Sequence, residues 1–133
     1  MNIEYRILNI VERNKKMNSD ELKNRTKQFA YRCINLAIAL PNTVLGVHVR
    51  GQLIRSSTSV ASNYRAACIA QSKASFIAKL SIVLEEIDES YFWLELTLDK
   101  GLLEGKLVEP LLKEAGELTS IFASSRKTSI SRK

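Results

Sequence analysis

The segment GQLIRSSTSVASNYRAA, from Gly51 to Ala67, concentrates hydroxyl side chains that could act as nucleophiles. A serine such as Ser57 or Ser59 becomes a nucleophile only when a nearby base removes its proton. The single histidine, His48, precedes these serines by roughly two or more helical turns, too far for a hydrogen bond. We therefore expect no catalytic residue here and a protein that is not an enzyme.

Carboxylates are densest in the segment EEIDE, residues 85–89. Helical bundles use such carboxylates to hold two metal ions, but those sites also need Glu-x-x-His motifs, which one histidine cannot supply. The chain also lacks a glycine-rich phosphate-binding loop. We predict no metal site and no cofactor, and we interpret the carboxylates as a solvated or interface-forming surface.

The two cysteines are predicted to be free thiols. Neither Cys33 nor Cys68 has the close Cys or His partner of a zinc site. The helical hairpin described below turns near residue 43, which places Cys33 opposite a residue near 53 and not opposite Cys68. We therefore expect two buried thiols and no disulfide within the chain.

Charge is unevenly distributed along the chain, whose net charge is +6. Residues 22–84 contain nine basic side chains and no acidic one, whereas residues 85–117 contain ten acidic side chains against three lysines. Two interpretations fit this asymmetry. Either the basic part forms a surface for nucleic acid, or the basic and acidic parts pair with each other, within one chain or between subunits.

Apolar residues at helical spacing, with helix start and stop signals, predict four helices at about residues 19–40, 45–70, 74–100 and 105–124. The third helix has the clearest pattern, with one heptad line through Leu80, Ile87 and Leu94. Gly101 is a typical stop signal after it. Because the connections are short, we predict an all-α fold, an antiparallel up-down-up-down four-helix bundle over residues 18–124.

Two terminal segments fall outside this predicted bundle. We set residues 1–17 apart as an N-terminal extension, and Met17, directly before a helix start, is a candidate alternative translation start. Residues 125–133 are expected to be a basic disordered tail. The N-terminus has no signal-peptide pattern, and no apolar run reaches the roughly 20 residues of a membrane span. We therefore expect a cytoplasmic protein with no membrane partner.

On the second predicted helix, the side opposite the apolar arc carries arginine and hydroxyl groups but no acid. The candidates for phosphate contacts are Arg50, Arg55, Arg65 and Lys73. For Arg55 the alternative is an ion pair with a carboxylate of residues 85–89, in its own bundle or in the next subunit. The sequence shows no interleaved aromatic residues of the kind that stack single-stranded bases. We therefore expect binding directed at the nucleic-acid backbone, sensitive to salt and weakly sequence-specific.

Other side chains on these helices are predicted to fix the fold or join subunits. Ser56 and Asn63 lie at the border of the apolar arc, where a polar residue commonly fixes register or oligomeric state. Tyr64, Phe92 and Trp93 exceed what one bundle seam needs, and we interpret them as an intersubunit patch. For Trp93 the alternative is a plain core position.

Three stretches resemble the bacterial four-helix-bundle proteins encoded in intervening sequences of 23S rRNA genes. They are QLIRSSTSVASNYRAA (52–67), SKASFIAKLSIVLEEIDESYFWLEL (72–96) and LLKEAGELTSIF (111–122). The resemblance extends over about residues 21–124 and implies an antiparallel four-helix bundle. Many members carry Glu three residues after the position of Asn63, whereas this chain has Ala66. Any role of that Glu is therefore absent here.

The resemblance also bears on assembly and function. The accessory variability protein of diversity-generating retroelements, which is similar in fold, forms a five-membered basic barrel and works with a reverse transcriptase and nucleic acid. This implies a homo-oligomer, and a pentamer, for the present chain. We expect a non-enzymatic bundle that binds RNA, or DNA, electrostatically and with low sequence specificity. The alternative is a structural or protein-interaction scaffold in which basic and acidic parts pair and nucleic acid has no role.

Overall fold

Four α-helices follow one another in the computed structural model, which describes residues 17–132. They are α1 (Ser19–Ile38), α2 (Val44–Cys68), α3 (Lys73–Asp99) and α4 (Gly105–Ser131). α2 packs against α1 and α3, and α4 packs against α3 and, less closely, against α1. The predicted all-α four-helix bundle is confirmed, and residues 17–132 contain no strand. Among these residues, no helix combines the length and hydropathy that crossing a membrane requires.

Three of the four helices begin with a side chain that accepts a hydrogen bond from a free backbone N–H. The capping oxygens belong to Asn18, Thr43 and Ser72, and each lies 2.9–3.0 Å from the amide nitrogen three residues later. Caps of this kind contribute about 1 kcal/mol each. The predicted starts at 19, 45, 74 and 105 lie within one residue of the observed ones, and the first three depend on these local caps.

The end of α3 is fixed by a glycine in the left-handed region. Gly101 has φ +62°, a conformation in which a Cβ would be strained. Its N–H donates to the carbonyl of Leu98, and the N–H of Leu102 donates to that of Thr97, both at 3.0 Å. These two bonds satisfy carbonyls that the helix end would otherwise leave free, so the stop predicted at Gly101 is observed.

The last helix is longer than its sequence pattern indicates. α4 continues to Ser131, so the predicted end at 124 is wrong, and residues 125–131 are helical and not a disordered tail. Within this added part, Arg126 Nε donates to Ser81 Oγ of α3 at 2.8 Å. That contact joins the last turns to the neighbouring helix, which the polar composition does not reveal. The predicted extension at 1–17 and the hypothesis about Met17 lie outside the described residues, apart from Met17 itself.

The core is a column of apolar side chains from all four helices. The predicted heptad line through Leu80, Ile87 and Leu94 is fully buried within it. The other large, fully buried members are Phe29, Leu53, Leu118, Phe122, Val49, Val60, Val83 and Val108. Burial of such side chains contributes roughly 1.5–3 kcal/mol each, so this column holds the bundle together.

Both cysteines are free, as predicted. Cys33 is buried, and burial raises the pKa of its thiol to about 12, with a hydrogen bond to Ser57 acting in the opposite direction. The Cys33 thiol is therefore protonated at neutral pH and chemically inert. Cys68 is half-buried and not fully buried as expected, because it lines an open pocket at the α2–α3 turn.

Candidate nucleic-acid interface

Arg50 is held by the end of α1 and does not project freely into solvent. Its Nε donates to the carbonyl of Ala37 at 3.2 Å. Its Nη2 donates to the carbonyl of Leu40 at 2.6 Å and to Oδ1 of Asn42 at 2.8 Å. The guanidinium thus satisfies carbonyls at the C-terminus of α1 and closes the α1–α2 turn. A phosphate would have to displace these acceptors.

Arg55 pairs with carboxylates of its own bundle. Its Nη1 lies 3.3 Å from Oε2 of Glu86, and its Nη2 donates to Oε2 of Glu89, both on α3. The hydrogen bond to Glu89 is the main cause that raises the pKa of Arg55. For Glu86, burial raises the carboxyl pKa and Arg55 offsets only part of that effect. Of the two interpretations of Arg55, a phosphate contact or an ion pair, the structure shows an ion pair within the chain, and Glu89 is the stronger partner.

A second intrachain network, which sequence reasoning missed, joins α1 to α4. Arg25 Nε and Nη2 donate to the two carboxylate oxygens of Glu114 at 2.9 and 2.8 Å, and Nη2 also lies 3.5 Å from Oε1 of Glu117. The hydrogen bond to Glu114 is the main cause that raises the pKa of Arg25. A bidentate pair of this kind is stronger than a single contact. Its partners are 89 residues apart in sequence, so only the tertiary fold reveals it.

Arg65 and Lys73 are the two sequence-predicted candidates that remain available. Both side chains are exposed, and neither forms an ion pair with any residue between 17 and 132. Arg65 lines a groove between α1 and α2. Lys73 lines a pocket of about 610 Å³ at the α2–α3 turn, together with Arg132 near the end of α4. The structure therefore brings two of the four candidates to the same end of the bundle.

The antiparallel fold turns the charge asymmetry of the sequence into a polarity along the bundle axis. We define the basic half as residues 19–28, 57–85 and 118–132, which contains the α2–α3 turn, and the acidic half as residues 29–56 and 86–117. The basic half has nine basic and three acidic residues, a net charge of +6, whereas the acidic half has six basic and nine acidic residues, a net charge of −3. Phosphate would be attracted to the basic half.

The three aromatic residues predicted to join subunits do not lie together. Tyr64 is only 5% exposed, and its ring lies 5.1 Å from that of Phe122. Burial raises the pKa of its hydroxyl. The prediction of Tyr64 as an interface residue is therefore wrong, because the rotation of α2 turns its ring into the core of its own bundle.

Phe92 and Trp93 instead form an aromatic cluster with His48 at the outer α2–α3 seam. The rings of Phe92 and Trp93 stack at 5.0 Å, and His48 meets Trp93 edge-on at 5.4 Å. Phe92 is 47% exposed. Trp93 also packs against the core, and its Nε1 is buried with no hydrogen-bond acceptor among residues 17–132. The cluster thus combines exposed apolar surface with an unsatisfied donor, a combination that costs free energy in an isolated chain.

The two polar residues predicted to have structural roles occupy different environments. Ser56 is fully buried, and its hydroxyl lies 2.9 Å from that of Ser90 across the α2–α3 seam. Two such small side chains let α2 and α3, the most extensively packed pair, approach each other. Asn63 is half-buried, and its amide donates to the carbonyl of Ser59 on its own helix at 2.9 Å. Its hydrogen bond therefore does not join helices.

One arrangement, at the boundary between the two halves, was not predicted from the sequence. Lys27 Nζ lies over the ring of Tyr31 at 5.6 Å from its centroid, and both line the same groove as Arg65. The spacing of four residues between Lys27 and Tyr31 is a signal that could have been read on one helix. The position of Arg65 in the same groove, on a second helix, could not be read from the sequence. No group of three or more metal-ligating side chains occurs among residues 17–132.

The fold and its charge define a class: an all-α four-helix bundle with one basic and one acidic half. A model of the 23S rRNA-intervening sequence protein family matches residues 9–124. The chain belongs to this family, which confirms the resemblance read from its motifs. The match includes residues 9–16, part of the predicted N-terminal extension.

A solved structure supports the same assignment. A protein of unknown function from the S23 ribosomal protein family of Bacteroides thetaiotaomicron is similar, with a TM-score of 0.74 and 33% sequence identity. The similarity covers 84% of this chain and 99% of that one. The comparison with curated proteins gave no match.

Proposed function

We propose that the protein is a non-enzymatic nucleic-acid-binding bundle that contacts RNA through its basic half. The observation that carries the proposal is the set of exposed cations there, above all Arg65 and Lys73, which no carboxylate of the described residues neutralises. A cytoplasmic location is part of this proposal, because RNA is abundant there.

The chemistry of these side chains suits phosphate. The guanidinium of Arg65 can offer two parallel N–H donors to phosphate oxygens, and Lys73 offers a compact point charge. Each phosphate neutralised releases condensed counterions, so affinity should fall steeply as salt rises. Because such contacts carry no sequence information, binding is expected to be weakly sequence-specific.

The test compares two charge-reversal variants that alter opposite halves. The first is Arg65→Glu with Lys73→Glu in the basic half, and the matched control is Lys100→Glu with Lys106→Glu in the acidic half. Both double variants change the net charge equally. Affinity for a labelled RNA is measured by fluorescence anisotropy over a range of salt concentrations. We expect the basic-half variant to bind RNA about tenfold or more weakly. The slope of log affinity against log salt concentration should fall by about one for each lost phosphate contact.

The outcomes separate local binding from a general charge effect. Retained affinity in the Lys100 and Lys106 variant, with loss in the Arg65 and Lys73 variant, supports the proposal. Equal losses in both would mean that only net charge matters, and no binding by the wild type at low salt would reject a nucleic-acid role. A DNA of the same sequence, measured in parallel, tells whether RNA is preferred.

A second candidate function is a homo-oligomeric scaffold, favoured by the aromatic cluster of His48, Phe92 and Trp93. A second subunit packed on Phe92 would cover exposed apolar surface and could offer an acceptor to Trp93 Nε1. The pairing of basic and acidic parts needed for a scaffold occurs within the chain at Arg25 and Arg55. A pentamer is the ring size that the family resemblance suggests.

Light scattering coupled to size-exclusion chromatography tests the scaffold. Phe92→Asp should dissociate the assembly, whereas Tyr91→Asp, the same change on the adjacent exposed residue, should not. A wild-type protein that is monomeric at every concentration would exclude this function. A stable oligomer that fails to bind RNA would favour the scaffold over the nucleic-acid proposal.

A further inference from the structure

A shallow groove between α1 and α2, at the boundary between the basic and acidic halves, combines an exposed aromatic ring with two cations of the basic half. Its volume is about 250 Å³. Its lining residues are Lys27, Ala30, Tyr31, Thr58, Ala61, Ser62 and Arg65. None of them is acidic. We call this feature the Tyr31 groove.

The groove exists because small side chains line the facing helices. Ala30 on α1 and Ala61 and Ser62 on α2 leave space that larger residues would fill. Tyr31 stands beside this space and is 49% exposed, so much of its ring has no packing partner in the described chain. A half-exposed aromatic ring beside an apolar floor is suited to stacking with a flat partner.

Two cations line the groove together with that ring. Lys27 Nζ lies 5.6 Å from the centroid of the Tyr31 ring, over one face. Arg65 reaches the groove from α2, and neither cation forms an ion pair with any residue from 17 to 132. The hydroxyls of Thr58 and Ser62 add hydrogen-bonding groups at the rim.

We propose that the Tyr31 groove binds one unpaired nucleotide of a single-stranded nucleic acid, with its base stacked on Tyr31 and the flanking phosphates on Lys27 and Arg65. This rests on the proposed function and names the form of nucleic acid that the basic half prefers. The volume is below the range of about 300–1,000 Å³ typical of pockets that enclose a free small molecule. An open groove of this size fits one flat ring whose backbone continues outside it. Stacking of bases on aromatic rings with cations nearby is the usual mode of single-strand binding.

The test is the selective loss of single-strand affinity when the ring is removed. Tyr31→Ala is compared with Tyr31→Phe, which keeps the ring, and with Tyr91→Ala, which removes an exposed tyrosine of α3 that does not line the groove. Affinities for single-stranded RNA, single-stranded DNA and duplex RNA are measured by fluorescence anisotropy. We expect Tyr31→Ala to lose roughly tenfold in single-strand affinity and to leave duplex affinity unchanged. Tyr31→Phe and Tyr91→Ala should behave as the wild type.

A second variant guards against misfolding as the cause. Lys27→Ala should weaken single-strand binding and lower its salt slope by about one. Thermal unfolding by circular dichroism should show that each variant keeps the wild-type midpoint. A loss of affinity for single-stranded RNA and DNA alike supports the groove proposal. A loss for single-stranded RNA alone also supports it, and would indicate an additional contact to the 2′-hydroxyl.

Failure of the groove is distinguishable from failure of the proposed function. If the wild type binds no nucleic acid, both are overturned. If the wild type binds RNA and the Arg65 and Lys73 reversal abolishes that binding, the proposed function stands. The groove proposal is then overturned if Tyr31→Ala changes nothing or weakens single strands and duplexes equally.

Discussion

The four basic residues that the sequence offered as phosphate contacts are engaged differently in the two halves of the bundle. In the acidic half, Arg50 is engaged by carbonyls at the end of α1 and Arg55 by carboxylates of α3. In the basic half, Arg65 and Lys73 have no such acceptors among the described residues. All four stand in the same acid-free stretch of sequence. The contrast teaches that a basic side chain is available to a ligand only where no neighbouring element supplies an acceptor.

The largest expected effect concerns the turn that holds Arg50 in the acidic half. In Gly46→Ala, the new methyl group would lie 2.0 Å from the carbonyl oxygen of Pro41, so the turn must shift. We expect a loss of about 2–3 kcal/mol in the free energy of unfolding, measured by urea denaturation. Gly51→Ala is the control, because no atom of residues 17–132 lies within 4 Å of its added methyl, apart from the adjacent residues and backbone of its own helix. It should gain up to about 1 kcal/mol. Similar losses in both would contradict a steric cause.

Removal of Arg25 is expected to have the next largest effect. Its bidentate partner Glu114 has a side chain that is only 15% exposed, so Arg25→Ala would leave this largely buried carboxylate without the cation that pairs with it. We expect a loss of about 2 kcal/mol, because such uncompensated charges are costly. Arg32→Ala, at an exposed arginine with no ion pair in residues 17–132, should change stability by less than about 0.5 kcal/mol. Equal effects would mean that the Arg25 network contributes nothing.

A crossed pair of variants tests the contrast between the halves directly. Arg50→Ala should lower the free energy of unfolding by about 1 kcal/mol, because carbonyls at the end of α1 lose their donor, and should leave RNA affinity unchanged. Arg65→Ala should do the opposite, with weaker RNA binding and unchanged stability. For both variants, the free energy of unfolding is measured by urea denaturation and RNA affinity by fluorescence anisotropy. If Arg50→Ala weakened RNA binding as much as Arg65→Ala, the division into structural and free cations would be wrong.

The smallest expected effect is a pH dependence at Glu86. Burial raises the pKa of this carboxyl in the folded protein. Its contribution to stability is therefore fully present below the pKa of the unfolded chain and is lost as pH rises through the folded pKa. Relative to Glu86→Gln, the wild type should lose less than about 1 kcal/mol from acid to neutral pH. In an Arg55→Ala background this difference should grow, because the offset by Arg55 is gone. A difference of opposite sign would show that the ion pair outweighs burial.

The features that could be predicted from the sequence are local ones. Helix starts depend on a cap within a few residues, the stop at Gly101 on the conformation of one glycine, and the buried line through Leu80, Ile87 and Leu94 on a simple period. The missed features need the relative placement of two elements. Tyr64 faces the core because of how α2 is rotated, and Arg50 finds carbonyls because of the path of residues 39–43. The extended α4 is likewise supported by a contact with another helix.

The same distinction between local and tertiary features applies to the candidate site. Arg65 and Lys73 could be chosen from the absence of acids around them in the sequence. Lys27 and Tyr31 could have been paired by their spacing of one helical turn. Arg65 lines the same groove because of the register between α1 and α2. The sequence pattern of either helix alone does not reveal that register.

The cluster at the outer α2–α3 seam also gives the protein an optical reporter. The sequence has one tryptophan, Trp93, and its indole lies against Phe92 and His48 with Nε1 shielded from water. Its fluorescence therefore reports on a single place in the acidic half. Emission that shifts with protein concentration would register a neighbouring subunit covering the cluster. RNA bound to the opposite half should leave that emission unchanged, so assembly and binding can be followed separately in one unlabelled sample.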